Sequence, residues 1–308
     1  MREKVLVIYG GLSEEREISL RSGKAIAKAL GRRNFQVKEF DFQGHIEQVV
    51  EEFKPDVVFI ALHGTFGEDG SIQGALEILR VPYTGSSVLQ SALCMNKLFS
   101  KYLFREFNIP TPEFLYTEDL EISYEYAKSI LSVEKMVIKP VDQGSAIGVS
   151  IVQNGDQFKQ GLETAFSFSK GVIIEEFIQG KEITVSVIGN LQNIIVLPVI
   201  EIVPSHNFYD YFSKYTPGMS THIIPANIPK EVSDLASKLA YNIYTSFSLR
   251  DFARIDFVVK NTLPYVLEVN TIPGFTETSL IPDAARAYGM SFDDLTEFIV
   301  NETLKRRR

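Results

Sequence analysis

Four polar side chains lie in a stretch of sequence that is otherwise rich in isoleucine, phenylalanine, valine and leucine. The pattern predicts two strands joined by a turn, and a hairpin centred on Thr262 places Asp256 opposite Glu268. The same register places Arg254 opposite Asn270. Because side chains alternate between the two faces of a strand, these polar groups share one face. Carboxylates that face each other at about 5 Å repel, so this face is costly to bury unless a cation lies between them.

The donor atoms on this face favour a hard divalent cation. Asp, Glu and Asn side chains offer only oxygen, and a small set of protein ligands leaves room for waters and substrate phosphates, which is typical of Mg²⁺ rather than Zn²⁺. The sequence therefore predicts a magnesium site at Asp256, Glu268 and Asn270. The alternative is the solvent-facing polar side of an ordinary antiparallel hairpin.

A glycine-bearing turn, residues 140–148, follows a predicted strand at 136–139 and is a candidate phosphate-binding loop. Backbone N–H groups in such a turn can close over phosphate oxygens, and Lys139 at the strand end supplies positive charge. The alternative is a purely structural loop. Lys97, in a predicted helix, is equally ambiguous because most helical lysines are solvated. The sequence contains neither a P-loop motif nor a dinucleotide-binding glycine motif.

A second glycine-rich segment, residues 62–70, leaves a buried strand and enters a helix that begins near Ser71. Loops at strand ends often carry binding residues, which makes this segment a candidate ligand face. It contains His63, for which the alternative is a histidine whose ring is satisfied inside the core.

The elements that must position these residues change in character along the chain. Residues 1–85 alternate apolar strands with amphipathic helices, which is typical of a parallel sheet flanked by helices, and later segments mix the two types. We predict strands at 5–9, 36–40, 57–62, 82–84, 136–139, 149–152, 172–177, 183–188, 194–202, 252–259 and 265–270. We predict helices from a Ser13 cap to Gly31, at 87–107, 156–168 and 230–247, and from about Asp293, with a linker at Gly180 and Lys181.

Length and composition exclude several classes of protein. The chain has 308 residues with 45% apolar and 23% charged residues, so we expect a folded protein of about two domains, with three small ones also compatible. The longest apolar stretch, residues 57–62, is six residues, whereas a membrane span needs roughly 20. The N-terminus lacks a secretory signal pattern, so a cytoplasmic location is expected and no membrane partner.

The cysteine content and the net charge exclude further classes of protein. The single cysteine, Cys94, excludes an internal disulfide framework. The net charge of −8 argues against nucleic acid as a partner. The one basic block, residues 305–308, is expected to complement the C-terminal end of a helix dipole.

Taken together, eight motifs of the chain resemble the D-alanine:D-alanine ligases of the ATP-grasp superfamily. They occur in the order of that family and span nearly the whole chain. They are GGLSEEREISL (10–20), ALHGTFGEDGSIQG (61–74), PYTGSS (82–87), MNKLFSK (95–101), VIKPVDQGSAIGVS (137–150), FYDYFSKY (208–215), RIDF (254–257) and LEVNTIPGFTETSLIP (267–282).

The resemblance implies a fold that combines α/β and α+β parts in a three-domain ATP-grasp architecture. It implies an N-terminal parallel-sheet (pre-ATP-grasp) substrate domain at 1–90, a central ATP-grasp subdomain at 91–182 and a C-terminal subdomain with metal site and lid loop at 183–308. ATP would lie between the last two, and two D-alanine subsites at the junction with the first. Relatives are commonly homodimers, so a homodimer is expected.

The resemblance also implies roles for individual residues. ATP would be bound by Lys97, Lys139, Glu175, Phe177, Ile178, Glu182 and the lid residue Lys214, and two Mg²⁺ (or Mn²⁺) ions by Asp256, Glu268 and Asn270. The first D-alanine would contact Glu15 with His63 nearby, and the second would contact Ser279 and the backbone of Leu280. Arg254 and the N–H of Gly274 would stabilise an oxyanion, and Ser145 and Tyr215 would form a triad with Glu15. Glu176 stands where relatives often have lysine.

The implied reaction is ATP-dependent joining of two D-alanine molecules through an acyl phosphate, for peptidoglycan precursor synthesis. The loop 205–220 would close as a lid that keeps water from this intermediate. Two alternatives stay open. The first is another ATP-grasp carboxylate–amine ligase, such as a D-alanine:D-lactate ligase, although the Lys–Tyr pair at 214–215 favours an amine nucleophile. The second is a non-catalytic nucleotide-binding module.

Overall fold

The computed structural model describes residues 2–204 and 220–306. Its strands are β1 (Lys4–Gly10), β2 (Gln36–Phe42), β3 (Val57–Ile60), β4 (Phe114–Thr117), β5 (Met136–Pro140), β6 (Ser150–Val152), β7 (Val172–Glu176), β8 (Lys181–Gly189), β9 (Ile195–Val196), β10 (Ile200–Pro204), β11 (Ser220–Ile223), β12 (Asp251–Lys260) and β13 (Leu263–Asn270). Its helices are α1 (Arg16–Arg32), α2 (Glu47–Phe53), α3 (Ser71–Ile78), α4 (Val88–Met95), α5 (Lys97–Glu106), α6 (Tyr124–Leu131), α7 (Gly155–Phe166), α8 (Lys230–Ser246), α9 (Leu280–Tyr288) and α10 (Phe292–Lys305).

The N-terminal part contains the predicted parallel sheet, with strand order β2-β1-β3. All four residues of β3 are buried, as expected for a strand covered on both faces. The predicted strand at 82–84 is reduced to a single bridge between Val58 and Tyr83. The predicted Ser13 cap was wrong: α1 begins at Arg16, and the Ser13 hydroxyl instead donates to the carbonyl of His63 at 2.6 Å.

Two antiparallel sheets make up the rest of the architecture. The four-stranded sheet has the order β4-β7-β5-β6 and buries its own core beneath α6 and α7. The six-stranded sheet has the order β11-β10-β8-β12-β13, with β9 also paired to β8. The predicted linker at Gly180 and Lys181 was wrong, because Lys181 is the first residue of β8 and pairs with Val259 of β12.

The hairpin β12–β13 has the predicted pairing at its polar residues but a different turn. Asp256 lies opposite Glu268, whereas Lys260 lies opposite Leu263, so only two residues form the turn. A register shift next to Asp256 leaves Leu267 as the extra residue of a bulge, because Phe257 already pairs with Val266. The two-residue turn shifts the pairing by one residue relative to a hairpin centred on Thr262. The bulge shifts it back by one, so Asp256 lies opposite Glu268 as predicted.

The predicted long helix at 87–107 is two helices, α4 and α5, separated by Asn96. The backbone of Asn96 is extended, with φ −82° and ψ 104°. Its side-chain oxygen accepts hydrogen bonds from the N–H groups of Leu98 and Phe99, which caps α5. The break places Lys97 in the first turn of a new helix rather than in the middle of a long one. The predicted strand at 194–202 is likewise divided into β9 and β10.

The N-terminal and six-stranded sheets share one apolar core. The ring of Phe59 from β3 lies 6.3 Å from that of Phe252 in β12 and 5.9 Å from that of Phe275. Phe104 of α5 stacks at 5.6 Å on Phe247, in a second core beneath the six-stranded sheet.

The predicted domain bounds remain predictions. No helix among the described residues is long and apolar enough to cross a membrane.

The C-terminal end of α10 is tied to a buried carboxylate. The predicted dipole role of the basic tail was wrong for Arg306, whose guanidinium pairs with Asp251 and donates to the carbonyl of Tyr83 at 2.8 Å. Asp251 is fully buried and also accepts from Thr303 at 3.0 Å and from the N–H of Gly85 at 2.7 Å. Burial raises the pKa of Asp251, and Arg306 opposes that rise. Arg306 therefore anchors the last helix to the six-stranded sheet through Asp251 and to the N-terminal sheet through Tyr83.

Replacing Arg306 with alanine should destabilise the protein by about 3 kcal/mol, because it leaves a buried carboxylate without its cation. Urea unfolding followed by circular dichroism measures the change. The matched control is Lys230→Ala, which removes a cation from a pair whose side chains are 81% and 63% exposed and should leave stability unchanged. Equal stability of the Arg306→Ala variant and the wild type would contradict the anchoring role.

Candidate active site

Two cavities meet at the polar face of the hairpin β12–β13. The larger one, of about 570 Å³, lies between the N-terminal part and the hairpin, and it is lined among others by Glu15, His63, Glu68, Ser145, Arg254, Asn270, Gly274, Ser279, Leu280 and Asp283. The smaller one, of about 200 Å³, lies between the two antiparallel sheets and is lined among others by Lys97, Lys139, Glu175, Phe177, Ile178, Glu182, Asp256 and Glu268. The hairpin thus contributes Arg254 and Asn270 to one cavity and its two carboxylates to the other.

A network of donors holds the Asp256 carboxylate. Arg254 donates to it through Nε at 2.9 Å and through Nη2 at 2.7 Å, and Asn270 donates through Nδ2 at 3.1 Å. Thr184 of β8 donates its hydroxyl at 2.6 Å. Thr184 is not among the residues predicted from the sequence. The alternation of polar Glu182, Thr184 and Ser186 with apolar residues along β8 would have revealed it, because the polar residues share the face of Asp256.

The oxygen donors on this face fit a magnesium ion. Asp256 and Glu268 are cross-strand neighbours, and Asn270 contacts the Asp256 carboxylate directly. Among residues 2–204 and 220–306, no group of three or more His, Cys, Asp or Glu side chains could hold a metal ion. Two carboxylates and an amide leave coordination positions for water and phosphate, which suits Mg²⁺ better than a metal that needs an all-protein cage.

Both predicted phosphate lysines reach the small cavity. Lys97 lies at the start of α5, where its ammonium donates to the carbonyl of Gln143 and lies 3.9 Å from Glu268. Lys139 at the end of β5 donates to Glu175 at 2.8 Å. Lys97 also donates its backbone N–H to Val141 at 2.8 Å, so helix and glycine-bearing loop are joined directly. Both ammonium groups thus line the cavity, each beside a carboxylate.

The predicted adenine-contacting segment also lines the small cavity. Glu175, Phe177, Ile178 and Glu182 all line it, with Glu175 and Ile178 buried. Glu176, whose role the sequence left open, accepts a hydrogen bond from the N–H of Glu113 at 3.1 Å. It therefore ties β7 to the chain that enters β4.

In the large cavity, Glu15 lies at the N-terminus of α1 and accepts a hydrogen bond from Ser145. Ser145 has a φ of 53°, a conformation that is costly for a residue with a side chain and that is often found at functional sites. Gly64, with a φ of 68°, passes so close that a Cβ there would lie 2.8 Å from the Glu15 carboxylate. The hydrogen bond from Ser145 to Glu15 joins the glycine-bearing loop of the four-stranded sheet to the N-terminal part.

His63 is buried beside two carboxylates. Its Nδ1 donates to the carbonyl of Ile272 at 2.9 Å, and its Nε2 lies 3.1 Å from the Ser22 hydroxyl. Burial alone would lower the pKa of His63, but Glu68, 3.8 Å from Nδ1, and Glu15 raise it. Burial and the charge of Glu15 in turn raise the pKa of Glu68. Glu68 is not among the residues predicted from the sequence, although it follows His63 closely in the glycine-rich loop.

Ser279 and Gly274 lie together on the far side of the large cavity. Ser279 is the residue before α9, so the first N–H groups of that helix, including that of Leu280, form an anion-binding end. The Ser279 hydroxyl accepts from the N–H of Thr276 at 2.9 Å. A Cβ on Gly274 would meet the protein only at ordinary contact distances of 3.6 and 3.9 Å. The protein itself therefore leaves the space beside Gly274 open to a ligand.

An unpredicted pair borders the same cavity: Nδ1 of His222 lies 2.7 Å from Asp283. Burial would raise the pKa of Asp283, but His222 and Arg286 lower it. The pair joins β11 to α9 and thereby to Ser279. Lys214, Tyr215 and the predicted lid 205–220 lie outside the described residues except for Ser220, which lines the cavity.

Two family models match much of the chain, and similar proteins match nearly its full length. The family model described as D-ala D-ala ligase C-terminus matches residues 103–301, and the D-ala D-ala ligase N-terminus model matches 38–86. A relative from Carboxydothermus hydrogenoformans named D-alanine–D-alanine ligase is 45% identical over 99% of both chains.

Solved structures are similar as well. The D-alanine–D-alanine ligase of Bacillus anthracis complexed with ATP has a TM-score of 0.85 and 31% identity over 99% of this chain and 98% of its own. The VanG D-Ala:D-Ser ligase of Enterococcus faecalis has a TM-score of 0.83 and 29% identity over 98% of this chain and 100% of its own.

Replacing Glu68 with glutamine should lower the pKa of His63, because burial then outweighs the remaining charge of Glu15. An NMR titration of the histidine ring protons measures it. Asp283→Asn is the matched control, since it removes a carboxylate from the other cavity histidine and should leave the His63 titration unchanged. A His63 pKa that stays the same in Glu68→Gln would show that Glu68 does not stabilise the imidazolium.

Proposed function

The chain belongs to the D-alanine–D-alanine ligase family, and we propose that it joins two molecules of D-alanine to D-alanyl-D-alanine while ATP is split to ADP and phosphate. It is an ATP-dependent ligase. The observation that carries the proposal is the position of the hairpin β12–β13 between the cavities. Its carboxylates line the small cavity and its Arg254 lines the large one, so a nucleotide bound in the first and an amino acid bound in the second would meet at the hairpin.

The first step transfers the γ-phosphoryl group to a carboxylate oxygen of the first D-alanine. The P–O bond to ADP breaks, and an acyl phosphate forms. This step brings anions together, so Lys97, Lys139 and Arg254 offset the repulsion. Asp256, Glu268 and Asn270 would hold Mg²⁺, which supplies charge neutralisation at the phosphates when bound. Glu15 would bind the ammonium of this D-alanine, with His63 beside it.

The second step forms the peptide bond. The neutral amine of the second D-alanine, whose carboxylate would bind Ser279 and the N–H of Leu280, attacks the acyl carbon, and phosphate leaves. The oxyanion that develops would be stabilised by Arg254 and the N–H of Gly274. We assign Ser145 with Tyr215 to the path of the amine proton, because the Ser145 hydroxyl already donates to the Glu15 carboxylate, which can take up that proton.

We further infer the setting of the reaction from the family. Two Mg²⁺ or Mn²⁺ ions accompany ATP, the protein works as a homodimer in the cytoplasm, and the dipeptide enters peptidoglycan precursor synthesis. Glu175, Phe177, Ile178 and Glu182 would bind the adenosine part of ATP, and Lys214 would approach the transferred phosphate.

A direct assay tests the proposed function. Purified protein with ATP, MgCl₂ and D-alanine should form D-alanyl-D-alanine, ADP and phosphate in equal amounts, as resolved by chromatography. D-serine and D-lactate are offered as competing second substrates, because one similar structure is a D-Ala:D-Ser ligase. Preferential formation of a D-Ala:D-Ser or D-Ala:D-lactate product would replace the proposal with that activity. ATP binding without any product would leave a nucleotide-binding module.

Replacing Arg254 with alanine should lower kcat about 10²- to 10³-fold, because one oxyanion donor is lost. ATP binding, measured by calorimetry, should be largely retained. Arg254→Lys serves as the control for charge at the same position. Unchanged kcat in Arg254→Ala would refute the assigned role.

Replacing Asp256 with asparagine should raise the Mg²⁺ concentration needed for half-maximal activity, because one anionic ligand is lost. A magnesium titration of the initial rate at saturating ATP measures the change. Asp283→Asn, which neutralises a carboxylate in the large cavity, should leave the magnesium requirement as in the wild type. Equal magnesium requirements of Asp256→Asn and wild type would place the metal elsewhere.

A further inference from the structure

A buried lysine lies behind the small cavity, and the proposed reaction does not use it. The side chain of Lys101 is 1% exposed, and its ammonium lies 3.2 Å from Oε1 of Glu175. It also donates to the hydroxyl of Thr111 at 2.7 Å and to the carbonyl of Pro112 at 3.2 Å. Because these partners and the protein around them enclose the ammonium, Lys101 can affect a ligand only through its neighbours.

Glu175 has two lysine partners on its two oxygens. Oε2 accepts a hydrogen bond from Lys139 at 2.8 Å, and Oε1 faces Lys101. The Glu175 side chain is only 2% exposed. Burial would raise the pKa of Glu175, but Lys101 and Lys139 together lower it. The two lysines beside this carboxylate therefore favour its ionised form.

The two lysines differ in what they can reach. Lys139 lines the small cavity, where the proposed function assigns it to the phosphates of ATP, whereas Lys101 does not line it. An ammonium group that turns toward a phosphate oxygen gives up its contact with Glu175. Without Lys101, Glu175 would then be a buried carboxylate with no cation, which is strongly unfavourable.

We propose that Lys101 is a positioning residue for nucleotide binding: it keeps Glu175 ionised and in place, so that Lys139 can exchange Glu175 for a phosphate oxygen of ATP. The inference rests on the proposed function, which supplies the nucleotide. Thr111, which accepts from Lys101, donates to the carbonyl of Val266 in β13 at 2.9 Å. The counter-ion of Glu175 is thus also anchored to the strand that carries Glu268.

The charges around Lys101 support this exchange. Burial lowers the pKa of Lys101 to about 8, the Glu175 carboxylate opposes this, and the like charges of Lys139 and Arg105 add to it. When Lys139 turns away, one of these like charges moves off. The ammonium form of Lys101 therefore becomes more favourable at the moment when Glu175 depends on it alone.

The test is the ATP dissociation constant of a Lys101→Met variant, measured by calorimetry with MgCl₂ and without D-alanine. Methionine keeps much of the side-chain volume and removes the charge. We expect binding to weaken about tenfold or more, because Lys139 is then retained by Glu175. In steady-state kinetics the KM for ATP should rise, whereas the KM for D-alanine should stay the same. ATP affinity equal to that of the wild type would overturn the proposal.

A double-variant cycle separates the charge effect from a packing effect. In a Glu175→Gln background no buried carboxylate needs a cation, so adding Lys101→Met should change ATP affinity by less than about twofold. An equal tenfold loss in that background would show that Lys101 only supports packing, which would overturn the proposal. If the single Lys101→Met variant does not fold, the double variant still tests the proposal, because a tenfold loss of ATP affinity relative to Glu175→Gln would overturn it.

Lys128→Met is the matched control, since Lys128 pairs with Glu134 on the surface of the same part of the protein and should leave ATP binding unchanged. Failure of this inference is distinguishable from failure of the proposed function. A wild-type protein that forms dipeptide while Lys101→Met binds ATP normally refutes the inference alone. A wild-type protein that binds ATP but forms no dipeptide refutes the function and leaves the exchange of Lys139 testable.

Discussion

The pairing of Asp256 with Glu268 across β12 and β13 determines how the two cavities meet. A two-residue turn alone would place Asp256 opposite Leu267 and would move the carboxylates out of register. The bulge at Leu267 corrects this, so that the carboxylates and Arg254 lie on one face and border different cavities. Ligands in the small and the large cavity would therefore lie on either side of this short stretch of hairpin.

A polar face of this kind inside a protein is expensive, and the surrounding contacts reduce its cost. Thr184, Arg254 and Asn270 all donate to Asp256, so the carboxylate is not left without partners when no ligand is present. The Glu175 carboxylate likewise has partners when no ligand is present, because Lys101 and Lys139 both lie beside it. The site is thus preorganised with its charges already paired, and a bound nucleotide exchanges existing contacts rather than neutralising isolated charges.

Period-two alternation predicted that Asp256 and Glu268 share one face, but the predicted pairing is correct only because the bulge at Leu267 offsets the two-residue turn. The break at Asn96 was not predictable in the same way, since the apolar pattern of α4 and α5 continues through it and only the Asn96 side chain ends one helix and caps the next. The contact of Arg306 with Asp251 joins residues far apart in sequence. Charge patterning along α10 carries no information about a buried carboxylate on another element.

The burial of Lys101 is the clearest case of such a tertiary effect. A lysine one turn after Lys97 in a helix is ordinarily solvated, and nothing in its neighbours along the chain says otherwise. Helix α5, however, packs Phe104 against Phe247 beneath the six-stranded sheet and Tyr102 against Phe114 of the four-stranded sheet, at 5.6 and 5.9 Å. The helix lies between the two sheets, so a further face of it also points inward. That face holds Lys97 and Lys101, and the same packing that joins the sheets therefore places Lys97 at the cavity between them and Lys101 behind it.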